Sequence, residues 1–185
     1  MGKLKHFIEG ANIYLRDVSL GDVNDVYLGW MNDPEVTRYL EARFSEHTLE
    51  SIRDYVEKMA SKEDEVFLAI CEKDSRKHIG NIKLGPIERN HKFAYISLVI
   101  GDKAFWGKGI ASEAIGLMVK IAFDKYDLNK LLAGCYACNR GSARAFEKNG
   151  FKVEGVEKRR WLSGGEYVDG ITLGLVRDEA VRGEE

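Results

Sequence analysis

The chain has 185 residues, 28 Lys and Arg against 30 Asp and Glu, and a formal net charge of −2. That length suits one domain, which buries roughly 70% of its unfolded surface. The balanced charge gives no basic face of the kind that nucleic-acid binders carry, and 44% apolar with 10% aromatic residues excludes disorder. No apolar run approaches the ~20 residues that span a bilayer, and no apolar signal-peptide segment is visible near the start. A soluble, cytoplasmic globular domain is expected, with no nucleic-acid or membrane partner.

The elements follow in order from the spacing of apolar residues. Residues 12–18 read as a first strand. Val23, Val26, Tyr27, Trp30 and Met31 then fall at helical spacing, and a helix over 20–31 ends at Asn32-Asp33-Pro34, because the residue before proline disfavours the helical region. A second amphipathic helix starts near Ser45, with Leu49, Ile52, Val56 and Met59 on one face. Residues 65–72, 77–87 and 93–100 are β-rich and suit an antiparallel meander.

From Lys103 the period changes back. Ala111, Ala114, Ile115, Met118 and Ala122 mark a helix of about four turns. Residues 130–137 read as a strand, and 141–148 as a helix stopped by Asn149-Gly150, a C-cap signal. Two strands, 151–161 and 166–176, meet at Ser163-Gly164-Gly165, a hairpin turn. The order β-α-α-β-β-β-α-β-α-β-β makes this an α+β fold.

Three cysteines fit a reducing compartment, since an odd count argues against a disulfide framework. Cys135 and Cys138 form a C-x-x-C, but Cys71 and the four histidines supply no second ligand pair for zinc. Both are read as small apolar residues near a strand end, and no metal is expected.

The most informative stretch runs from Ile100 through Gly101, Phe105, Trp106, Gly107, Lys108 and Gly109 to Ala111. A strand ends, a loop closes on two glycines, and a long helix begins. Small residues let backbone N–H groups approach a ligand, and the helix N-terminus adds orphan donors and about half a positive charge. That arrangement suits a pyrophosphate or another anion. A Walker motif does not fit: Asp102 stands six places before Lys108, and Gly109 takes the magnesium-binding Ser/Thr position. The dinucleotide pattern G-x-G-x-x-G fits poorly, because Ser112 occupies its third glycine position and strands do not alternate with helices from the start.

Trp106-Gly107-Lys108-Gly109-Ile110-Ala111 resembles the acetyl-coenzyme A motif Q/R-x-x-G-x-G/A of the GNAT N-acetyltransferase superfamily. Tryptophan in the Q/R position resembles the branch of ribosomal-protein alanine and spermidine N-acetyltransferases. A second match follows: Asn139-Arg140-Gly141-Ser142 and Phe146-Glu147-Lys148-Asn149-Gly150-Phe151 are similar to that branch's N-x-x-S…(Y/F)-E-K-x-G-F. The resemblance covers about residues 12 to 177 of a single domain. It implies a mixed, largely antiparallel central sheet of about seven strands flanked by about four helices. It also implies direct transfer of an acetyl group from acetyl-CoA to a primary amine, without an acyl-enzyme.

By the same resemblance, backbone groups of Leu98, Val99 and Ile100 bind the pantetheine arm, and N–H groups of Trp106, Gly107, Lys108, Gly109, Ile110 and Ala111 bind the pyrophosphate. Asn139 binds the pantetheine amide, and Ser142 protonates the leaving thiolate. Phe146 stands where many relatives carry an acidic tyrosine, and it has no proton to give. Tyr95 aligns where many carry a glutamate base, although a phenol of pKa about 10 is a weak base at neutral pH. Glu88 and His91, just upstream, are alternative bases acting through water. Trp30, Asn32, Arg38 and Tyr39, with Asp33, Glu35 and Glu41, mix aromatic and acidic groups suited to a cationic amine or a sugar, and Arg159-Arg160-Trp161 suits a phosphate on the acceptor. The acceptor is a small molecule such as an amino sugar or polyamine, or a protein N-terminus; homodimers are common in the resembling branch. The rival readings are a coenzyme A-binding regulator without catalysis and a dinucleotide-binding oxidoreductase.

Overall fold

The computed structural model describes residues 5–178. One sheet of eight strands runs in the order β1-β2-β3-β4-β5-β6-β8-β7. β1 (Phe7–Glu9), β2 (Ile13–Asp17), β3 (Val66–Glu72), β4 (His78–Leu84) and β5 (Phe93–Ile100) pair antiparallel in sequence. β6 (Lys130–Tyr136) joins β5 in parallel. β8 (Glu166–Val176) then pairs antiparallel with both β6 and β7 (Lys152–Ser163). The turn between β7 and β8 has Gly164 and Gly165 at φ of 61° and 85°, a left-handed pair that only glycine adopts at no steric cost.

The sheet has one strand more than the seven read from the sequence. β1 is three residues long, and Phe7 is 58% exposed, so it carries no alternation to detect. Its place is set by backbone pairing with β2, from Phe7↔Arg16 to Glu9↔Tyr14.

Among the described residues, four α-helices cover the two faces. α3 (Ile110–Lys120) and α4 (Arg140–Glu147) pack over one face, where Ile115, Met118 and Phe146 meet Leu15, Leu68, Ile82 and Ile96. α1 (Asp25–Asn32) and α2 (Leu49–Ser61) cover the other through Tyr27, Trp30, Ile52 and Val56, against Phe67 and Val99. The first helix is shorter than its apolar period suggests. Residues Leu20–Asp22 form a separate 3-10 turn, and the Asn24 side chain caps Val26 and Tyr27 to start α1 afresh. α2 likewise begins at Leu49 rather than near Ser45, because Thr48 and Ser51 cap each other reciprocally. A wider π-type turn, Ile121–Lys125, extends α3.

Two contacts fix the end of β5 against its surroundings. A Cβ on Gly101 would lie 2.1 Å from the Trp30 ring, so that ring packs directly on the backbone where the strand ends. Glu113, in the first turn of α3, accepts from the backbone N–H groups of Asn12 (2.8 Å) and Ile13 (3.2 Å) and so ties the helix to the β1–β2 turn.

A largely buried ion pair precedes α1. Asp22 receives both terminal nitrogens of Arg16, at 2.8 and 2.6 Å, and the Ser19 N–H at 2.8 Å. Burial alone would raise the Asp22 carboxyl, but the Arg16 and Ser19 bonds outweigh it and hold the pKa at about 2, against 3.8 ordinarily. A carboxyl depressed in the folded state adds stability above its unfolded pKa and loses it as pH falls through the folded one. We therefore expect about 2 kcal/mol of stability to disappear between about pH 5 and pH 1. Urea titrations of the parent and Asp22→Asn across that range check this; an equal pH dependence in both would contradict it.

Candidate active site

The parallel ladder between β5 and β6 is short. Phe93↔Lys130, Ala94↔Leu131 and Tyr95↔Leu132 pair, and there the pairing ends. On its other side β5 stays bonded to β4 as far as Gly80↔Ile100. The strands therefore part like a fork, and the β6-facing backbone groups of Leu98 and Ile100 are left without ladder partners on half-buried residues, whereas Val99, expected to share this role, turns its backbone to β4 opposite Asn81. Backbone groups in that state need another partner. One is supplied: the Trp106 indole N–H donates to the Ile100 carbonyl at 2.8 Å and folds the following loop back over the strand end.

The loop leads into an uncapped helix. Asp102 accepts from Ala104 N–H at 3.0 Å and from the Lys77 ammonium at 2.6 Å, fixing the first bend. Gly107 and Gly109 then take φ of 73° and 81°, and a Cβ at either would meet nothing within 4 Å. Gly109 is the N-cap of α3 and has no side chain to satisfy the first-turn N–H groups. These donors, with the positive end of the helix dipole, face open space. Lys108 lies beside them, its ammonium 5.5 Å from the centre of the Phe105 ring.

Beyond Gly109 lies an open groove of about 510 Å³ that includes Ser112, Gly116, Lys120, Lys148 and Asn149. Asn149 builds it, donating to Ser112 O at 2.9 Å and to Ala145 O at 2.8 Å, so that the end of α4 is clasped to α3. Gly116 permits this approach, since a Cβ there would lie 2.8 Å from Asn149 Oδ1. Asn149, with Gly150 a helix stop in sequence, is thus also a wall of this groove. Its signal was the i, i+4, i+8 row of Ser112, Gly116 and Lys120 on one face of the helix.

On the β6 side of the fork, Asn139 caps α4 by accepting from Ser142 N–H at 3.2 Å, which leaves its amide nitrogen to serve a ligand. The Ser142 hydroxyl bonds the Cys135 thiol and partly opposes the burial that pushes that thiol up. Phe146 is 2% exposed and packs edge-on against Phe151 at 5.1 Å, as a core residue. Cys71 and Cys135 are buried, Cys138 is exposed, and all three are free thiols. Among the described residues, no cluster of three or more His, Cys, Asp or Glu could hold a metal ion.

The candidate bases divide sharply. Tyr95 sits on the last paired rung, at the crotch of the fork, and is 44% exposed. Glu88 bridges Phe93 at the opposite end of β5, and His91 lies in the same turn. The strand runs about 23 Å from Phe93 to Ile100, so Glu88 and His91 lie on the closed side of the Tyr95 rung, far from the open end of the fork and the glycine turn.

The acceptor candidates divide as well. Trp30 is 7% exposed and supports the loop from beneath. Asn32 spends its amide on His47, with bonds of 2.9 and 3.0 Å. Asp33 and Glu35 hold the Lys103 ammonium at 2.8 and 3.0 Å. Arg38 stacks on Tyr39, and the Tyr39 ring stands 5.5 Å from Tyr136, which stacks in turn on Trp161 at 5.3 Å. Arg43 donates to the Tyr136 oxygen at 2.8 Å and to Leu162 O at 2.6 Å, strapping the α1–α2 loop to the β7–β8 hairpin. Tyr136 and Arg43 were not singled out from the sequence, because their partners lie 93 and 119 residues away.

The acetyltransferase (GNAT) domain family matches residues 12–152. The chain is 29% identical to the SPbeta prophage-derived uncharacterized N-acetyltransferase YokL of Bacillus subtilis (strain 168), over 92% of this chain and 93% of that protein. The fold is shared with spermidine N-acetyltransferase from Vibrio cholerae in complex with CoA and spermine, with a TM-score of 0.83, 20% identity and coverage of 93% and 99%. It is shared too with Mycobacterium smegmatis RimJ in complex with CoA-disulfide, with a TM-score of 0.78, 18% identity and coverage of 90% and 83%. With a forked parallel pair, a glycine turn and a family match over most of its length, this chain belongs to the GNAT acetyltransferase family.

Proposed function

We propose that this protein moves the acetyl group of acetyl-CoA directly to a primary amine, and that the acceptor is a small molecule. The observation that carries this reading is the fork itself, whose open end faces the uncapped N-terminus of α3. The residues present fit acetyl-CoA. The open backbone at Gly107 and Gly109 and the first-turn N–H groups through Ala111 suit the pyrophosphate. Lys120 and Lys148 bring positive charge to the adjoining groove, where the cofactor's adenosine phosphate would lie. The free edge of Leu98–Ile100 suits the amides of the pantetheine arm, with the Asn139 amide nitrogen opposite. The Vibrio cholerae and Mycobacterium smegmatis structures, which hold CoA and CoA-disulfide, support the same use of this fold.

Acetyl-CoA supplies an activated thioester. The chain's own residues orient it and manage protons. The acceptor must be neutral to attack, and amines of pKa about 8 to 10.4 are mostly protonated at pH 7. Ser142, in the first turn of α4, is the hydroxyl that in this reading returns a proton to the leaving thiolate, a step that Phe146 cannot perform. The Arg43 strap bridges the acceptor side between loop and hairpin, which supports a compact acceptor over a long peptide.

Calorimetric titration with acetyl-CoA, against NADH as control, tests the cofactor site, and thiol release with spermidine, a nucleotide-linked amino sugar and an alanyl peptide tests transfer. We expect acetyl-CoA alone to bind and at least one amine to turn over. Binding without turnover on any amine would instead favour a coenzyme A-responsive regulator. Gly109→Trp should abolish binding while costing about 1–2 kcal/mol of stability for its left-handed backbone; unchanged affinity would refute the assignment of this loop. Ser142→Ala should lower kcat about tenfold or more, with little change in acetyl-CoA affinity; an unchanged kcat would remove Ser142 from proton return.

A further inference from the structure

The reaction needs a proton acceptor for the amine, and none of the three bases read from the sequence suits it: Tyr95 offers a phenol with no carboxylate shown beside it among the described residues, and Glu88 and His91 lie at the far end of β5. We propose that the acceptor ammonium loses its proton through the Tyr136 hydroxyl to the Glu41 carboxylate. This rests on the acetyl-transfer reading above and names the proton path of that same site.

Position comes first. Counting on from the last rung, Tyr95↔Leu132, Tyr136 falls across the fork from Val99. Along β6, Leu131, Ala133 and Cys135 point into the α3–α4 core, so Tyr136 points to the opposite face, the one Tyr95, Ser97 and Val99 share. That is the acceptor side. The Tyr136 hydroxyl donates to Glu41 Oε1 at 3.1 Å and accepts from Arg43 at 2.8 Å. Tyr136 is 4% exposed; in the relay an acceptor ammonium seats against the second lone pair of its phenol oxygen, which takes up a proton. As it does so, its own proton passes to Glu41. The ammonium becomes a neutral amine, Tyr136 is unchanged, and Glu41 ends protonated. Glu41 is exposed and returns the proton to water.

The surrounding charges single out this carboxylate. Asp33 and Glu35 are held by Lys103, Glu157 by Arg160 and Thr172, and Asp169 by Lys158. Glu41 instead receives the hydroxyl at the fork. The other titratable or charged groups against the pair are Arg43, Tyr39 with its neighbours Arg38 and Cys138, and Arg160 over the Trp161 ring. Arg43 orders the hydroxyl so that its proton faces Glu41 and not the cleft.

The test uses Glu41→Gln, which keeps an oxygen to accept the Tyr136 bond and removes only the basicity, alongside Tyr136→Phe, which keeps the ring. With whichever of spermidine, the amino sugar nucleotide or the alanyl peptide turns over, kcat/KM is measured from pH 6 to pH 10. Each variant should fall about 100-fold at pH 7. Its rate should then climb about tenfold per pH unit and approach the parent by about pH 9, as the free amine becomes abundant. The double variant should be no slower than the worse single. A merely structural role predicts the same factor at every pH, and that result would overturn the relay while leaving acetyl transfer intact. Binding of acetyl-CoA with no turnover of any amine by the parent would overturn both.

Discussion

A short parallel ladder governs this molecule. β5 bonds β6 for three rungs and no more, so the sheet opens at its middle instead of at an edge. An open β-ladder in an otherwise closed sheet is unfavourable on its own, because each buried N–H or carbonyl left unmatched weighs as a lost hydrogen bond. The fold tolerates the gap since the rest of the sheet is continuous on both sides, from β1 to β5 and from β6 to β7. The unpaired groups are thereby held in fixed positions.

Everything near the open end acts to hold that geometry. Trp30 presses on the backbone at Gly101, Trp106 closes on the Ile100 carbonyl, and Glu113 and Asn149 lock the first turns of α3 to the β1–β2 turn and to α4. The two sides of the cleft also communicate, because Lys103 of the glycine loop grips Asp33 and Glu35 at the end of α1. Exposed ion pairs of this kind contribute little stability, so their value lies in where they set the loops. Arg43 does the same across the mouth, bringing a loop, a strand end and a hairpin to one phenol.

Local signals explain what the sequence made legible. Gly107 and Gly109 stand at positive φ before a helix that lacks a capping side chain, and such a turn is written in four consecutive residues. The helix periods and the Gly164-Gly165 hairpin are equally local. Other features depend on distant partners. β1 is too short to alternate, and the early capping at Asn24 and Thr48 trims helices whose apolar periods run longer. The fork is a relation between strands some 35 residues apart, visible only through the resemblance to a known family. Glu88 and His91 are near the glycine turn in sequence, but an extended strand converts that nearness into distance. Tyr136 is the converse: an ordinary strand residue until Arg43 and Glu41 arrive from the α1–α2 loop.

The central claim is that the parted end of β5 and the glycine turn form one binding surface for acetyl-CoA. Amide hydrogen exchange with and without acetyl-CoA reads that surface directly, residue by residue. The account predicts added protection concentrated at Leu98–Ile100 and at residues 107–112, with little change at the β1–β2 hairpin or along α2. Protection confined to other segments, or none on a protein that binds the cofactor, would contradict it.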